Sequence, residues 1–201
     1  MSQHSKARTL RFYDEHGDEY VRGTIGVSME PLYGSFLEIL PAGGKILDAG
    51  CGSGRDTKAF LQHGYEVTAI DGSEKMVEAT TALSGIPARQ MLLQQIDFQN
   101  DFDGVWACAS MLHVPRQEID SVLEKIIRSL RPAGICYMSF KEGDCERWEG
   151  DRLFTDFTAQ SLEACLAGCT ELTIIRIWIT DDLRPGRDER WVNALVRKGS
   201  D

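Results

Sequence analysis

Residues 46–54 read Ile-Leu-Asp-Ala-Gly-Cys-Gly-Ser-Gly and join an apolar run to a segment with helical character. Three glycines, Gly50, Gly52 and Gly54, stand at alternate positions in the join. Because glycine has no side chain, such a loop lets the backbone pass close to a ligand. We therefore predict a ligand site at the carboxyl end of this strand. The alternative is a tight strand-to-helix turn that binds nothing.

The loop differs from the Gly-x-Gly-x-x-Gly or Gly-x-Gly-x-x-Ala fingerprint of dinucleotide-binding proteins. Arg55 follows Gly54, and Asp48 stands two residues before Gly50. A carboxylate here would repel a pyrophosphate but pair with an ammonium group, and N–H groups at the helix start suit a carboxylate. These features favour an amino acid attached to a nucleoside. A nicotinamide-dependent oxidoreductase is the weaker alternative.

Further acidic residues follow the next two predicted strands. Asp71 lies 21 residues after Gly50, at the offset where such sheets bind the ribose hydroxyls through a carboxylate. Asp97 and Phe98 end the third predicted strand, where a carboxylate could accept a hydrogen bond from an adenine amino group and a ring could cover its face. Each acid could instead be a structural cap or turn residue. Since parallel strands end at one edge, all three sites should converge on one crevice.

The composition favours an ordinary globular protein over a membrane or nucleic-acid-binding protein. The chain has 201 residues, 42% hydrophobic and 26% charged, with a formal net charge of -9. We expect a single domain, no membrane-spanning segment and no nucleic-acid partner. The polar segment Met1–Arg11 lacks a secretory signal, so we expect a cytoplasmic location. The six cysteines contain no Cys-x-x-Cys pair and the four histidines are scattered, which predicts free thiols and no metal.

From Lys45 onward, apolar runs alternate with amphipathic segments, which is typical of a mostly parallel sheet with helices on both faces. The predicted strands are Lys45–Ala49, Glu66–Ile70, Arg89–Gln95, Gly104–Ala109, Gly134–Phe140, Leu172–Thr180 and Arg190–Arg197. The last two should form an antiparallel hairpin, since a short loop joins them. The predicted helices are Thr9–Val21, Met29–Leu40, Arg55–His63, Glu74–Ser84 with a Ser73 cap, Pro115–Leu130, and Ala159–Ala167 with a Thr158 cap.

Together these motifs resemble those of class I S-adenosylmethionine-dependent methyltransferases. The resemblance rests on Asp48–Gly54, Asp71, Asp97-Phe98, and Phe102–Val105 leading to Ser110–His113, and it covers roughly Leu10 to Lys198. The opening Phe12–Tyr20 and the ending Arg190–Val196 look like the small-molecule branch that includes tellurite-resistance methyltransferases.

The resemblance implies one domain over residues 1–201, with an N-terminal helical lid (1–44) and a Rossmann-like core (45–198) built on a seven-stranded, mostly parallel sheet. It implies S-adenosylmethionine as cofactor and in-line methyl transfer to a small molecule, with thiols and chalcogen oxyanions among the candidates. We expect a monomer or homodimer. The residues expected to bind the cofactor are Asp48, Gly50, Gly52, Gly54, Arg55, Asp71, Gly72, Met76, Asp97, Phe98 and Ser110. A non-catalytic domain that binds S-adenosylmethionine or S-adenosylhomocysteine is the alternative function.

Several candidates for the acceptor side keep two interpretations. His113 follows the fourth strand and could be a general base and acceptor contact, or a helix cap or cofactor shield. Tyr13 and Tyr20, seven residues apart on one helix, share a face that either packs in the core or lines the site. The segment after the fifth strand contains Arg147, Trp148, Arg152 and Phe154, which lie either in an ordinary surface loop or at the ligand edge, where Arg147 and Trp148 would contact the substrate.

Overall fold

The computed structural model of the chain describes residues 2–200. Its main sheet has seven strands in the order β3-β2-β1-β4-β5-β9-β8. The first five strands pair in parallel, and β9 pairs antiparallel with β5 and β8. The predicted sheet and its C-terminal antiparallel hairpin are therefore confirmed. The strands are β1 Lys45–Ala49, β2 Glu66–Asp71, β3 Arg89–Gln90, β4 Phe102–Ala107, β5 Leu130–Lys141, β6 Glu146–Glu149, β7 Arg152–Thr155, β8 Leu172–Asp181 and β9 Arg190–Lys198.

Helices cover both faces of the sheet, and an apolar layer lies between each face and its helices. Along the central strands, alternate residues face opposite layers: Ile46 and Trp106 face one layer, and Leu47 and Val105 the other. The helices α2 and α3 pack on the first layer, and α5 and α6 on the second. The helices are α1 Ser2–Thr24, α2 Glu30–Leu37, α3 Arg55–Gln62, α4 Glu74–Ser84, α5 Ile119–Ser129 and α6 Ala159–Ala167.

The predicted helix caps are present. The Ser73 hydroxyl accepts a hydrogen bond from the Met76 amide at 3.2 Å, at the start of α4. The Thr158 hydroxyl accepts one from the Ser161 amide at 3.0 Å, at the start of α6. Each bond satisfies an amide that has no partner within the helix. Among the described residues, no helix is long and apolar enough to cross a lipid bilayer.

Several predicted bounds were wrong. The third strand contains only Arg89–Gln90, because a turn closed by the Leu92 amide on the Gln95 side chain follows it. A 3-10 turn over Arg116–Glu118 precedes α5, and β5 already begins at Leu130. The segment predicted as a loop after the fifth strand contains the antiparallel hairpin β6–β7.

Candidate active site

The glycine loop is fitted closely to its neighbours. Gly50 has φ +92°, and its amide donates to the Ile70 carbonyl at 2.8 Å, which ties the loop to the end of β2. A Cβ on Gly50 would lie 2.3 Å from the Ser110 Cβ, and one on Gly54 would lie 2.7 Å from the Thr80 Cα. Because neither space can hold a methyl group, both positions require glycine.

Asp71 ends β2 beside this loop. Its carboxylate accepts hydrogen bonds from the Gly52 amide at 3.0 Å and the Ser73 amide at 2.9 Å. Burial raises the pKa of Asp71 above its ordinary value, although the bonds from these amides oppose the shift. Since the backbone holds the carboxylate in place, its orientation toward a ligand is preorganised.

The crevice at the carboxyl edge of the sheet contains two adjoining cavities. The first, here called the β2-side cavity, is lined by residues that include Leu10, Gly50, Gly52, Asp71, Gly72, Met76, Met91, Leu92, Leu93, Gln94 and Ser110. The second, the β5-side cavity, is lined by residues that include Arg55, Asp56, Tyr137, Lys141, Glu149, Arg152, Phe154, Asp182, Arg184 and Trp191. The shared wall consists of Tyr13, Tyr20, Gly50, Gly52, Ala109 and His113.

The predicted cofactor residues are distributed over the two cavities and the structure around them. Six of them line the β2-side cavity: Gly50, Gly52, Asp71, Gly72, Met76 and Ser110. Arg55 lines the β5-side cavity. The structure places the other four, Asp48, Gly54, Asp97 and Phe98, outside the lining of both cavities. The structure therefore brings most of the predicted set together.

Asp48 lies beneath the glycine loop. It is 2% exposed and accepts a hydrogen bond from the Thr57 hydroxyl at 2.5 Å. Burial, followed by the charge of nearby Asp56, raises the pKa of Asp48 to about 8. Asp56 itself stays ionised: burial opposes this, but Arg55 and hydrogen bonds from Tyr33 and other neighbours hold its pKa below the ordinary value. Asp48 thus belongs to the support under the loop, whereas Asp56 lines the β5-side cavity.

Asp97 and Phe98 follow the shortened third strand and lie away from the cavities. Asp97 is exposed, and the Phe98 ring packs edge-on against Phe102 with centroids 5.1 Å apart. The cavity wall predicted there is supplied by Met91–Gln94, which the sequence interpretation treated only as strand. The apolar run directly after Gln90 was the available signal.

His113 and Tyr13 form a hydrogen-bonded chain in the shared wall. The Nδ1 atom of His113 lies 2.7 Å from the Leu153 carbonyl oxygen, which can only accept, so Nδ1 carries the hydrogen. Nε2 lies 2.7 Å from the Tyr13 hydroxyl and accepts its hydrogen. Burial, and then the charges of Arg152 and Lys141, lower the pKa of His113 to about 4, although the bond to Leu153 opposes this. The imidazole is therefore neutral at physiological pH.

Tyr13 and Tyr20 share a face of α1, as their spacing predicted. Their ring centroids are 5.1 Å apart in an edge-to-face arrangement. Burial raises the pKa of Tyr20 to about 12 and raises that of Tyr13 further, so both phenols keep their protons. Polar contacts fix α1 over the crevice: Asp14 accepts from the Ser73 hydroxyl at 2.6 Å, and Thr9 accepts from the Leu153 amide at 3.1 Å.

The hairpin β6–β7 contributes to the β5-side cavity through two of the four residues that the sequence analysis singled out there. Arg147 pairs with Asp156 at 2.7 Å, and Trp148 is 38% exposed with the Arg8 guanidinium over its ring. Neither lines the cavity. Arg152 and Phe154, which the sequence analysis also singled out, do line it. Glu149 lines it as well, and the sequence carried no signal for that residue.

Comparisons with known proteins agree with this geometry. Residues 46–134 match the methyltransferase domain family. An S-adenosyl-L-methionine-dependent Diels-Alderase of Neonectria sp. is 30% identical over 145 residues, covering 70% of this chain and 55% of that relative. A ubiquinone biosynthesis O-methyltransferase of Pseudomonas aeruginosa is 34% identical over 109 residues, covering 49% of this chain and 44% of that relative. The chain spans about a third to a half of the length of the first relatives it matches, 35% to 55%.

Two solved structures share the fold over nearly the whole chain. The 1,6-didemethyltoxoflavin-N1-methyltransferase of Burkholderia thailandensis, with bound 1,6-didemethyltoxoflavin and S-adenosylhomocysteine, superposes with a TM-score of 0.79 at 24% identity and covers 99% of this chain and 91% of that one. The magnesium protoporphyrin IX methyltransferase of Synechocystis PCC 6803 has a TM-score of 0.74 at 18% identity, covering 97% of each chain. The chain thus contains a match to the methyltransferase domain family over residues 46–134 and has, over nearly its whole length, the fold of these two methyltransferases.

Proposed function

We propose that this chain transfers a methyl group from S-adenosylmethionine, bound in the β2-side cavity, to a small molecule bound in the β5-side cavity. The observation that carries the proposal is the position of Asp71, held by two backbone amides beside a glycine loop that forms part of the wall between the cavities. This places a carboxylate on one side of the shared wall and room for an acceptor on the other.

The residues of the β2-side cavity fit the cofactor. Asp71 offers a carboxylate to the ribose hydroxyls, and Met91–Leu93 offer apolar side chains to the adenine. Ser110 lines the cavity with a buried hydroxyl oxygen that has no partner among the described residues, so it is available to a polar group of the ligand. The cofactor supplies an electrophilic methyl group on a sulfonium.

Asp48 acts indirectly in this proposal. It is buried and bonded to Thr57 of α3, and therefore supports the glycine loop from below. The protein's main catalytic contribution is to hold the acceptor in line and exclude water, for which orientation alone is worth on the order of 7–11 kcal/mol. His113, in the shared wall, is the candidate base for an acceptor that must lose a proton.

A second candidate is a domain that binds the cofactor without transferring its methyl group. The match to a protein named a Diels-Alderase supports keeping this alternative. Binding of S-adenosylmethionine without release of S-adenosylhomocysteine, across neutral aromatic acceptors, thiols and chalcogen oxyanions, would favour it. The last two are the acceptors expected from the resemblance to the tellurite-resistance branch.

The test is a calorimetric titration of the protein with S-adenosylhomocysteine. Replacing Asp71 with Asn removes a charged hydrogen-bond acceptor, which is worth about 1.5–3 kcal/mol, so we expect the affinity to fall about 10- to 100-fold. Glu66→Gln, at the opposite and exposed end of β2, is the matched control and should bind as tightly as the wild type. Equal affinities for all three proteins would contradict the proposed site.

A further inference from the structure

The β5-side cavity is rich in charge but has no excess of either sign. Five basic side chains line it, Arg55, Lys141, Arg152, Arg184 and Arg187, and five acidic ones, Asp56, Glu149, Asp181, Asp182 and Glu189. Every one of the basic groups is ion-paired with an acid of the same cavity. An anionic ligand would therefore have to compete with a carboxylate at each of these side chains, although the buried Nε of Arg152 has no hydrogen-bond partner among the described residues.

Lys141 shows how fully these cations are engaged. It is 8% exposed at the end of β5, and its ammonium lies 3.3 Å from Glu149 and 3.5 Å from Glu189. The same ammonium lies over the Phe154 ring, 4.5 Å from its centroid, in a cation–π contact. A buried cation with two carboxylates and an aromatic face has little left to offer a substrate anion. The cavity therefore favours an uncharged acceptor.

Aromatic rings form much of the remaining wall. Tyr13, Tyr20, Tyr137, Phe154 and Trp191 all line the cavity. The polar ends of two of them are already used: the Tyr137 hydroxyl donates to Asn193 at 2.6 Å, and the Trp191 indole donates to Asp182 at 3.1 Å. Tyr137 and Phe154 are buried in the wall, whereas Tyr13, Tyr20 and Trp191 are half-buried. The half-buried rings present apolar surface, which packs well against a planar ring.

The hydrogen-bonded chain in the shared wall points to an acceptor that arrives protonated. Both ring nitrogens of His113 are engaged, with Leu153 and with Tyr13. The Tyr13 oxygen donates its hydrogen to His113 and still has lone pairs to accept another. The charged and titratable groups near the pair are Arg152, Lys141, Glu149, Tyr20 and Asp71. A pre-ionised acceptor would need no such chain.

We propose that the acceptor is a neutral, ring-containing molecule with a hydroxyl or ring N–H group, and that the Tyr13 oxygen takes its proton. This rests on the proposed function. As the bond from the acceptor atom to the methyl carbon forms, the bond from that carbon to sulfur breaks and the electron pair stays on sulfur. The acceptor's proton passes to the Tyr13 oxygen, and the Tyr13 proton passes to Nε2 of His113. The resulting imidazolium returns its proton to solvent.

The acceptor class is tested with matched probes, after binding of S-adenosylhomocysteine has been established by calorimetry. 2-Naphthol and 4-hydroxyquinoline are neutral rings, 2-naphthoate is an anionic ring, and tellurite is an oxyanion. With S-adenosylmethionine present, we expect release of S-adenosylhomocysteine to be at least about tenfold more efficient, as kcat/KM, with the neutral rings. Faster turnover of 2-naphthoate or tellurite, or no turnover of either neutral ring, would overturn the acceptor class. Failure to bind S-adenosylhomocysteine would instead overturn the proposed function.

A charge variant tests the reason for the preference. Glu149→Gln leaves Arg152 without its carboxylate and Lys141 with one instead of two. We expect this variant, loaded with S-adenosylhomocysteine, to bind 2-naphthoate about tenfold more tightly than the wild type does, because a cation becomes available. An unchanged preference in a variant that melts at the wild-type temperature would contradict the argument from charge balance.

The role of Tyr13 is tested by the pH profile of Tyr13→Phe. This change keeps the ring and removes the oxygen, so we expect kcat with 2-naphthol to fall about 100-fold or more at pH 7, with KM much less affected. The variant's rate should also rise about tenfold per pH unit as the naphthol ionises by itself. Tyr20→Phe, whose ring lies in the same wall, should lose much less. A Tyr13→Phe rate that shows the wild-type pH profile would overturn the relay.

Discussion

The two cavities of the crevice are built in different ways. The β2-side cavity is walled by short segments that directly follow strands, such as the loop after β1 and Asp71 at the end of β2, and its key polar contacts involve backbone amides. The β5-side cavity depends on side-chain ion pairs, most of them between close neighbours in the sequence and some between separate segments. Lys141 at the end of β5, for example, pairs with Glu189, which lies 48 residues further along the chain.

This difference explains how each cavity can change. Backbone amides and glycines fix one ligand geometry, because few substitutions preserve a positive φ or a close approach. Side-chain ion pairs can be exchanged one at a time without moving a strand. Under the proposed function, such a scaffold could keep its cofactor site while its acceptor changes, because the backbone would fix the first and exchangeable side chains the second.

The largest effect is expected from breaking the backbone-built side. Gly50→Ala places a methyl group 2.3 Å from the Ser110 Cβ at φ +92°. Strain and overpacking together should lower the free energy of unfolding by about 3–5 kcal/mol and S-adenosylhomocysteine affinity by about 100-fold or more. Thermal melts and calorimetry provide the two measurements.

Gly23→Ala is the matched control for that substitution. Gly23 lies within α1, and a Cβ there would meet no atom within 4 Å. Alanine should therefore leave cofactor binding unchanged and stabilise the helix by about 0.5–1 kcal/mol. If Gly50→Ala and Gly23→Ala melt and bind alike, the glycine loop is not the rigid element described above.

A smaller effect is expected at the wall that both cavities share. The pKa of His113 is about 4 in the folded protein, against 6.5 in an exposed histidine. Between these pH values the unfolded chain binds a proton that the folded chain does not, so acidification from pH 7 to 4 should cost about 3 kcal/mol of stability. That loss should be absent in His113→Gln, measured as urea unfolding at several pH values. His63→Gln, at an exposed position outside both cavities, is the matched substitution control.

Most of the fold could be predicted because its signals are local. The apolar face of α5 and the two helix caps, Ser73 and Thr158, can each be recognised from residues close together in the sequence. The structure contains all three features. The length of the third strand could not be predicted in this way. Met91–Leu93 has the composition of a strand, yet a side-chain contact from Gln95 turns the chain there. Composition alone does not distinguish an apolar run that enters a sheet from one that lines a cavity.

Predictions for the acceptor side were limited because the sequence analysis did not predict the β6–β7 hairpin. Once residues 146–155 form two paired strands, adjacent side chains point to opposite faces. Trp148 then contacts Arg8 of α1, while Glu149 lines the cavity. A stretch interpreted as a loop carries no such alternation, so the sequence analysis grouped Trp148 with Arg152 and Phe154 and missed Glu149. Tyr13 and Tyr20 were easier, since helical spacing places them together.

The smallest effect on cofactor affinity is expected at Asp97, which was predicted to bind the cofactor but lies outside both cavities. Asp97 is exposed and lines neither cavity, whereas Leu92 lines the β2-side cavity. Asp97→Ala should change S-adenosylhomocysteine affinity less than about twofold, while Leu92→Ala removes apolar contact and should weaken it about five- to tenfold. Calorimetry on the two variants decides between them. A large loss in Asp97→Ala would mean that the segment after β3 rearranges when the ligand binds, and that the backbone-built side of the crevice is completed only then.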